Sequence, residues 1–295
     1  MLRRRKWMFA VLAVLPTLAI FAWVRLYPIA EMFNLSLRDW DLLSPRRPFI
    51  GLENFIDLFD DRLFIAALIN TTIIALGVAI ITIPSAIVIA ALIHSRAGSK
   101  LAPFYETAIF VPHVVSLVPA ALAWKWIFDS ELGPLNAFLG VFGIDPVAWL
   151  HNPTLAVLCV IVLCSWQALG YAVIIYLVGF KNLPVSLYEA ARLDGASARQ
   201  SFWFITVPLL KPITLYVSVV ILISGFNVYA QPFVLASDTQ GSPSHLVRVL
   251  VYDMIENSFS NFRIGYASAE AVILLSIVMI ITVIQFSILR DRSGR

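Results

Sequence analysis

The sequence predicts an all-α membrane protein of six transmembrane helices, with both termini cytoplasmic and a short cytoplasmic helix between the fourth and fifth spans. Three observations carry this expectation. Hydrophobic residues make up 60% of the 295-residue chain and charged residues only 13%, whereas soluble domains run nearer half apolar and a quarter charged. Six stretches lack Asp, Glu, Lys and Arg altogether: 7–24, 63–95, 107–124, 146–180, 212–237 and 271–289. A bilayer core about 30 Å thick needs roughly 20 apolar residues of helix to cross it. With residues 1–6 placed inside, 13 of the 21 basic residues fall on inner segments, and positive charge resists translocation. That asymmetry sets the orientation and needs no nucleic-acid partner.

Helix one is expected over about 7–26. It reads as a retained span, because it exits as Ala22-Trp23-Val24-Arg25 with no small-residue cleavage site. Helix two covers 64–93 and contains Pro84, a source of kinking. Helix three, 103–128, carries Pro112 and Pro119; such breaks survive in a membrane only where neighbours or water satisfy the freed carbonyls. The apolar stretch 132–144 is too short to span and is expected in the interface, with Trp126 and Trp149 at headgroup level. Helices four, five and six are expected over 154–180, 212–236 and 266–289. Cys159 and Cys164 lie five apart in one span and read as buried structural thiols. No repeat or linker interrupts the pattern, so residues 1–295 read as a single membrane domain with its core at about 63–289.

The inner stretch 181–212 differs from the other turns. Ser186 can cap a helix starting at Leu187, with Glu189 completing a capping box. Gly195 is a natural stop, and Ser197 can cap a second short helix leading to Ile205. Pro208 and Pro212 then bend the chain into helix five. From spacing alone, an amphipathic loop resting on the membrane accounts for this stretch at least as well.

The spacing Glu189-Ala190-Ala191, three residues, Gly195, nine residues, Ile205, two residues, Pro208 resembles the EAA coupling motif of binding-protein-dependent ABC importers. The form Leu-Tyr-Glu-Ala-Ala-Arg-Leu-Asp-Gly-Ala is similar to the carbohydrate-import branch. Gly51-Leu52-Glu53-Asn54-Phe55, with Phe64 and Asn70-Thr71, resembles the entry into helix two of its first, maltose-transporter-type membrane subunit. Further matches are Pro112, Ser116, Trp124-Lys125-Trp126, Phe128, Gly133 and Asn136, then Trp166 with Gly170-Tyr171, and 264–269. The sequence departs from the pattern at 237–243, which is poor in glycine, and at Glu106, where a basic residue is usual.

The resemblance implies a coupling segment at 187–208. In it Glu189, Arg192 and Asp194 supply polar docking, Ala190 and Ala191 close approach, and Gly195 a sharp turn. It also implies partners: a second, non-identical permease subunit, two ATPase subunits, and an extracytoplasmic solute-binding protein, in a bacterial inner membrane. This chain has no Gly-x-x-x-x-Gly-Lys-Ser/Thr phosphate loop, so ATP and Mg belong on the partners and no cofactor is expected here. The four histidines form no ligand cluster, so no metal is expected either.

Polar side chains on a solute path should face inward, since facing lipid costs free energy without return. Helix five offers Ser224, Asn227, Tyr229 and Gln231; helix four offers Trp166, Gln167 and Tyr171. Asn and Gln both donate and accept, which suits sugar hydroxyls, and Asn227 falls where the resemblance places pocket residues. Each could equally be interhelical glue. Glu270, Glu106 and Lys125 lie near helix ends and read as interfacial charges. An ion-coupled carrier would want paired intramembrane acids or internal symmetry, and an enzyme a nucleophile–base pair; neither is evident. Within the ABC class, a permease for glycerol phosphate, a polyol or another small solute stays open.

Overall fold

The computed structural model of the chain describes residues 2–96, 98–236 and 247–290. The glycine-poor stretch 237–243 and the basic residues at 292 and 295 therefore lie outside the described residues. In chain order the helices begin with α1 (Leu2–Phe21), α2 (Tyr27–Ser36), α3 (Glu53–Asp60), α4 (Arg62–His94) and α5 (Ala102–Val114). Next come α6 (Leu117–Ile127), α7 (Pro134–Gly140), α8 (Pro153–Lys181), α9 (Val185–Leu193) and α10 (Ala198–Ser201). The last five are α11 (Val207–Leu209), α12 (Lys211–Phe226), α13 (Ala230–Ala236), α14 (Leu250–Ile255) and α15 (Ile264–Arg290). Among the described residues no strand forms, only the isolated bridges Arg38–Phe49 and Asp41–Arg263.

Four helical runs are long and apolar enough to cross a membrane: Val11–Ser36, Arg62–His94, Pro153–Lys181 and Ile264–Ile288. Two further pairs qualify only as bent units, Ala102–Val114 with Leu117–Ile127 at 97° and Ala198–Leu209 with Lys211–Phe226 at 65°. Among the described residues the count is four to six; it reaches six when each bent pair is one span, although the second pair takes in 198–209, expected in the cytoplasmic segment, and stops at Phe226.

The expected third helix is thus two. Pro112 lies in the last turn of α5 and Pro119 in the first turn of α6. The first removes a helical N–H and crowds the preceding turn, while the second sits where a missing N–H costs nothing. Ser116 between them is extended, with φ −57° and ψ 141°. Helix five is also two. In an unbroken helix Pro232 would clash with the Val228 carbonyl, four residues back. Instead α12 stops at Phe226, and α13 starts two residues before the proline.

The chain packs as two compact units: residues up to Ile65 with Asp253–Ser276, and Ala66–Tyr252 with the chain from Ile277 onward. In the first unit, residues 11–30 are exposed throughout, as a helix facing lipid or another subunit would be. Asn54 is buried and donates from Nδ2 to the Ser36 and Arg38 carbonyls at 2.9 and 3.0 Å, which holds α3 against the end of α2. Tyr266 donates its hydroxyl proton to Asp61 at 2.8 Å. Glu270 corrects the interfacial expectation. It is fully buried and accepts from Asn257 Nδ2 at 2.7 Å, and Asn257 in turn accepts from Asn261.

The second unit has its core on the small-residue face of α4, including Ala79, Ala86 and Ala90, against the buried face of α8 with Val160, Leu163, Val173 and Tyr176. Small residues let membrane helices approach closely. A Cβ on Gly170 would come within 2.5 Å of the Ile109 carbonyl oxygen of α5, and one on Gly225 within 2.7 Å of Ala75 Cα. The segment 129–149 is organised by Asn136. Its Nδ2 donates to the Ser130 and Val147 carbonyls, and its Oδ1 accepts from the Val147 N–H and the Trp149 indole at 2.9 Å. Trp149 therefore ties down this loop, whereas Trp126 is 60% exposed as a headgroup anchor would be. The N–H groups of Leu132 and Glu131 both donate to Asp129, holding its carboxyl below the usual carboxylate range.

Gly170→Val is expected to destabilise the α5–α8 crossing by about 1–3 kcal/mol, the usual cost of overpacking. The check is a lowered unfolding midpoint of the purified protein in detergent.

Candidate functional site

A cavity of about 640 Å³ opens within the second unit, lined by α5, α8, α12, the break after α12, and α13, with Leu117 of α6 and Val78 of α4. On α8 its wall is Cys164, Gln167, Ala168 and Tyr171. That i, i+3, i+4, i+7 spacing puts all four on one face of a helix. On the other side the wall is Ser224, Asn227, Tyr229 and Gln231. These side chains cluster because α12 ends just there, turning polar groups that would otherwise spiral around a helix toward a common space.

Of the seven side chains expected on a solute path, six line this cavity: Gln167, Tyr171, Ser224, Asn227, Tyr229 and Gln231. Trp166 does not. Its neighbour in sequence faces the cavity, so it turns into the core and meets Trp124 edge to face at 5.7 Å. Two side-chain bonds join the walls. Gln231 Nε2 donates to Gln167 Oε1 at 3.2 Å, and the Tyr171 and Tyr216 hydroxyls share a proton bridge of 2.9 Å between α8 and α12. Asn227 folds back, its side chain donating at 2.7 Å to the Ile223 carbonyl that also accepts its backbone N–H at 3.2 Å, a doubled bond that closes the end of α12. Among the described residues, none that lines the cavity is Asp, Glu, Lys or Arg.

His113 also lines the cavity, although sequence reasoning weighed it only as a metal ligand. Its position on the last turn before a proline-marked break was the available signal. No group of three or more His, Cys, Asp or Glu side chains that could hold a metal occurs among the described residues.

The second feature is α9. It is nine residues long and buries none of them. Its start differs from expectation: the helix begins at Val185 after Pro184, with no side-chain cap, so Ser186 and Glu189 form no capping box there. Proline's fixed φ sets up the first turn in place of a cap. Its end follows the glycine signal. Gly195 adopts φ +80°, a left-handed conformation that glycine takes without a Cβ penalty. Ala196 N–H bonds the Ala191 carbonyl and Gly195 N–H the Arg192 carbonyl, the paired pattern of a Schellman stop. The capping box forms one element later, between Ser197 and Gln200. Tyr188 ties α9 to the following segment through Thr206 Oγ at 2.8 Å. Glu189, Ala190, Arg192 and Asp194 are exposed and Ala191 half-buried. Leu193, which the sequence reading passed over, is 90% exposed.

The family described as "binding-protein-dependent transport system inner membrane component" matches residues 82–293. The chain belongs to this family. As a permease of that kind it is a multi-pass membrane protein, and α9 with Gly195 carries the spacing on which the resemblance was drawn. It is 35% identical to the probable ABC transporter permease protein YurN of Bacillus subtilis, over 93% of each chain. It is 30% identical to the arabinooligosaccharides transport system permease protein AraP of the same species, over 89% of this chain and 82% of that one. It is 32% identical to the sn-glycerol-3-phosphate transport system permease protein UgpA of Yersinia pseudotuberculosis, over 93% and 92%. In fold the permease is similar to a chain of a bacterial alginate ABC transporter in complex with an alginate-pentasaccharide-bound periplasmic protein. The TM-score is 0.84 at 22% identity, covering 99% of this chain and 96% of that one.

Tyr171→Phe and Tyr216→Phe are each expected to cost about 1 kcal/mol, the worth of one hydrogen bond. The double variant should cost no more than either single one. A double-mutant cycle on the unfolding midpoint measures this, and full additivity would mean that the two hydroxyls do not interact.

Proposed function

We propose that the chain is a membrane subunit of an ATP-driven importer that carries a sugar or sugar derivative through the cavity between α8 and α12. The observation that carries this reading is the cavity wall itself, in which amides and a hydroxyl alternate with tyrosine rings and no fixed charge is present. Amides donate and accept at once, matching hydroxyls that do the same. Aromatic faces suit the apolar face of a sugar ring. The likeness to an arabinooligosaccharide permease points the same way.

Energy enters from outside the chain, since it has no phosphate loop. In this reading two ATPase subunits lie below it, with ATP and Mg bound there. A second, non-identical permease completes the path, and a solute-binding protein delivers cargo from outside. Both termini and α9 are cytoplasmic, and the membrane is the bacterial inner membrane. A short helix that buries nothing within its own chain, yet exposes Val185, Leu187 and Leu193, suits a cleft on a partner. Seated there between Glu189 and Gly195, it would hand closure of the ATPases to α8 and α12 as a rigid-body movement.

The glycerol-phosphate alternative has a relative in its favour. Against it stands the absence of any Lys or Arg in the cavity wall, since an anion buried without a cation is costly.

The deciding experiment is to purify the assembly with its binding protein and identify the co-purified solute by mass spectrometry. A neutral or derivatised carbohydrate is expected; an amino acid or metal chelate would overturn the reading. Leu193→Asp tests the coupling half. At a position so exposed it should leave the protein's own stability within about 0.5 kcal/mol. In reconstituted vesicles it should cut ATP-driven uptake at least tenfold, with capture by the binding protein intact. Gly195→Trp should do the same by straining the left-handed turn. Normal uptake by both variants would remove α9 from coupling.

A further inference from the structure

His113 stands on the last turn of α5, exposed to the cavity, with its ring 5.4 Å from that of Tyr171. Its Nδ1 lies 3.2 Å from the backbone carbonyl oxygen of Gln167. A carbonyl oxygen only accepts, so Nδ1 carries the proton in that bond. In a neutral imidazole the other nitrogen, Nε2, is then an acceptor. Nε2 has no hydrogen-bond partner among the described residues. The same α8 backbone that aims Gln167 and Tyr171 at the cavity therefore fixes the tautomer of a third group beside them.

From this arrangement we propose that His113 is a solute-recognition residue whose Nε2 accepts a hydrogen bond from a hydroxyl of a neutral, polyhydroxylated cargo. The proposal rests on the reading of the chain as an importer permease and narrows its substrate class. The Phe110 and Tyr171 rings and the Gln167 carbonyl lie against His113, and Tyr229 and Gln231 line the same cavity; among the described lining residues none bears a fixed charge. An acceptor nitrogen in an uncharged wall repels a phosphate or carboxylate as well as failing to pair it. A hydroxyl meets the opposite situation. It can donate to Nε2 while accepting from the amide of Asn227 or Gln231, the two-way pairing that a sugar ring presents on successive carbons. His113 thus adds a ring acceptor to a wall whose amides both donate and accept.

The test uses the complete assembly, with both permeases, the ATPases and the binding protein, reconstituted in lipid vesicles. The probes are tritiated maltotriose and arabinotriose, with sn-glycerol 3-phosphate as the anion. The variants are His113→Phe, which keeps the ring and removes both nitrogens, and His113→Gln, whose carboxamide restores an acceptor at the reach of Nε2. Wild type is expected to take up a neutral probe and not the anion. His113→Phe should lower maximal uptake about tenfold, the loss of one hydrogen bond, with the binding protein's affinity unchanged. His113→Gln should stay within about threefold of wild type. Loss in both variants alike, or in neither, overturns the role given to His113 while leaving sugar import standing. Wild-type uptake of the anion in preference to the neutral probes overturns the substrate class. Uptake of no probe by an assembly with working ATPases counts against the import reading itself, and the inference falls with it.

Discussion

A polypeptide in hydrocarbon must satisfy its own backbone, and this requirement governs where the permease can be irregular. Each unsatisfied N–H or carbonyl costs several kcal/mol where no water reaches. Two of its apolar helical runs are nevertheless broken, at 115–116 and at 227–229. Both breaks border one cavity: His113 and Leu117 flank the first, and Ser224, Asn227, Tyr229 and Gln231 surround the second. Irregular backbone is tolerated where it lines a polar space, and each break lies about four residues before a proline, Pro119 and Pro232, whose ring would clash with the Val115 and Val228 carbonyls of an unbroken helix. Cavity and helix breaks are one feature seen from two sides.

The same requirement explains the polar groups that lie away from the cavity. Asn136 uses both ends of its amide to close backbone groups of 129–149. Thr71 accepts from the Leu250 N–H at 2.9 Å while Asn70 donates to the Arg248 carbonyl at 3.0 Å. Glu270 is held inside the first unit by Asn257. None of these side chains faces solute. They close local accounts of donors and acceptors where the chain leaves regular helix, which is why polar content alone does not mark a transport path.

How far the sequence was readable follows from which signals are local. The charge-free runs located every long helix, because bilayer thickness imposes a length that composition alone reveals. The end of α9 was readable because a left-handed stop asks for glycine, and Gly195 supplies it. Its start was not, because Ser186 and Pro184 are both acceptable beginnings and only the path of the chain from α8 chooses between them. Proline positions announced breaks in helix three but not a bend of 97°, which depends on what packs against each half, and the break in helix five before Pro232 was not read. Six of seven polar candidates reach the cavity since they share a helical face or a broken end; Trp166, one residue out of phase with Gln167, goes to Trp124 instead. His113 was missed for a different reason. A histidine without ligand neighbours in sequence looks inert until a carbonyl from another helix is found to fix its tautomer.

In the proposed reading, recognition and coupling meet on α8. Gln167 and Tyr171 face the cavity, and from there the helix runs without interruption to Lys181, a few residues before α9 begins. Nine residues of helix are too few to persist alone in water, so α9 depends on its Schellman stop, on Tyr188 bonded to Thr206, and on α8 behind it. A helix braced in this way transmits displacement instead of absorbing it. Tyr171 is bonded to Tyr216, so in that reading a displacement entering through α9 would reach α8 and α12 together. A mobile loop in place of α9 would dissipate the same motion before it reached Gln167. In that reading, one short exposed helix, braced in this way, is what would let an uncharged cavity in a chain without a phosphate loop respond to an energy source outside it.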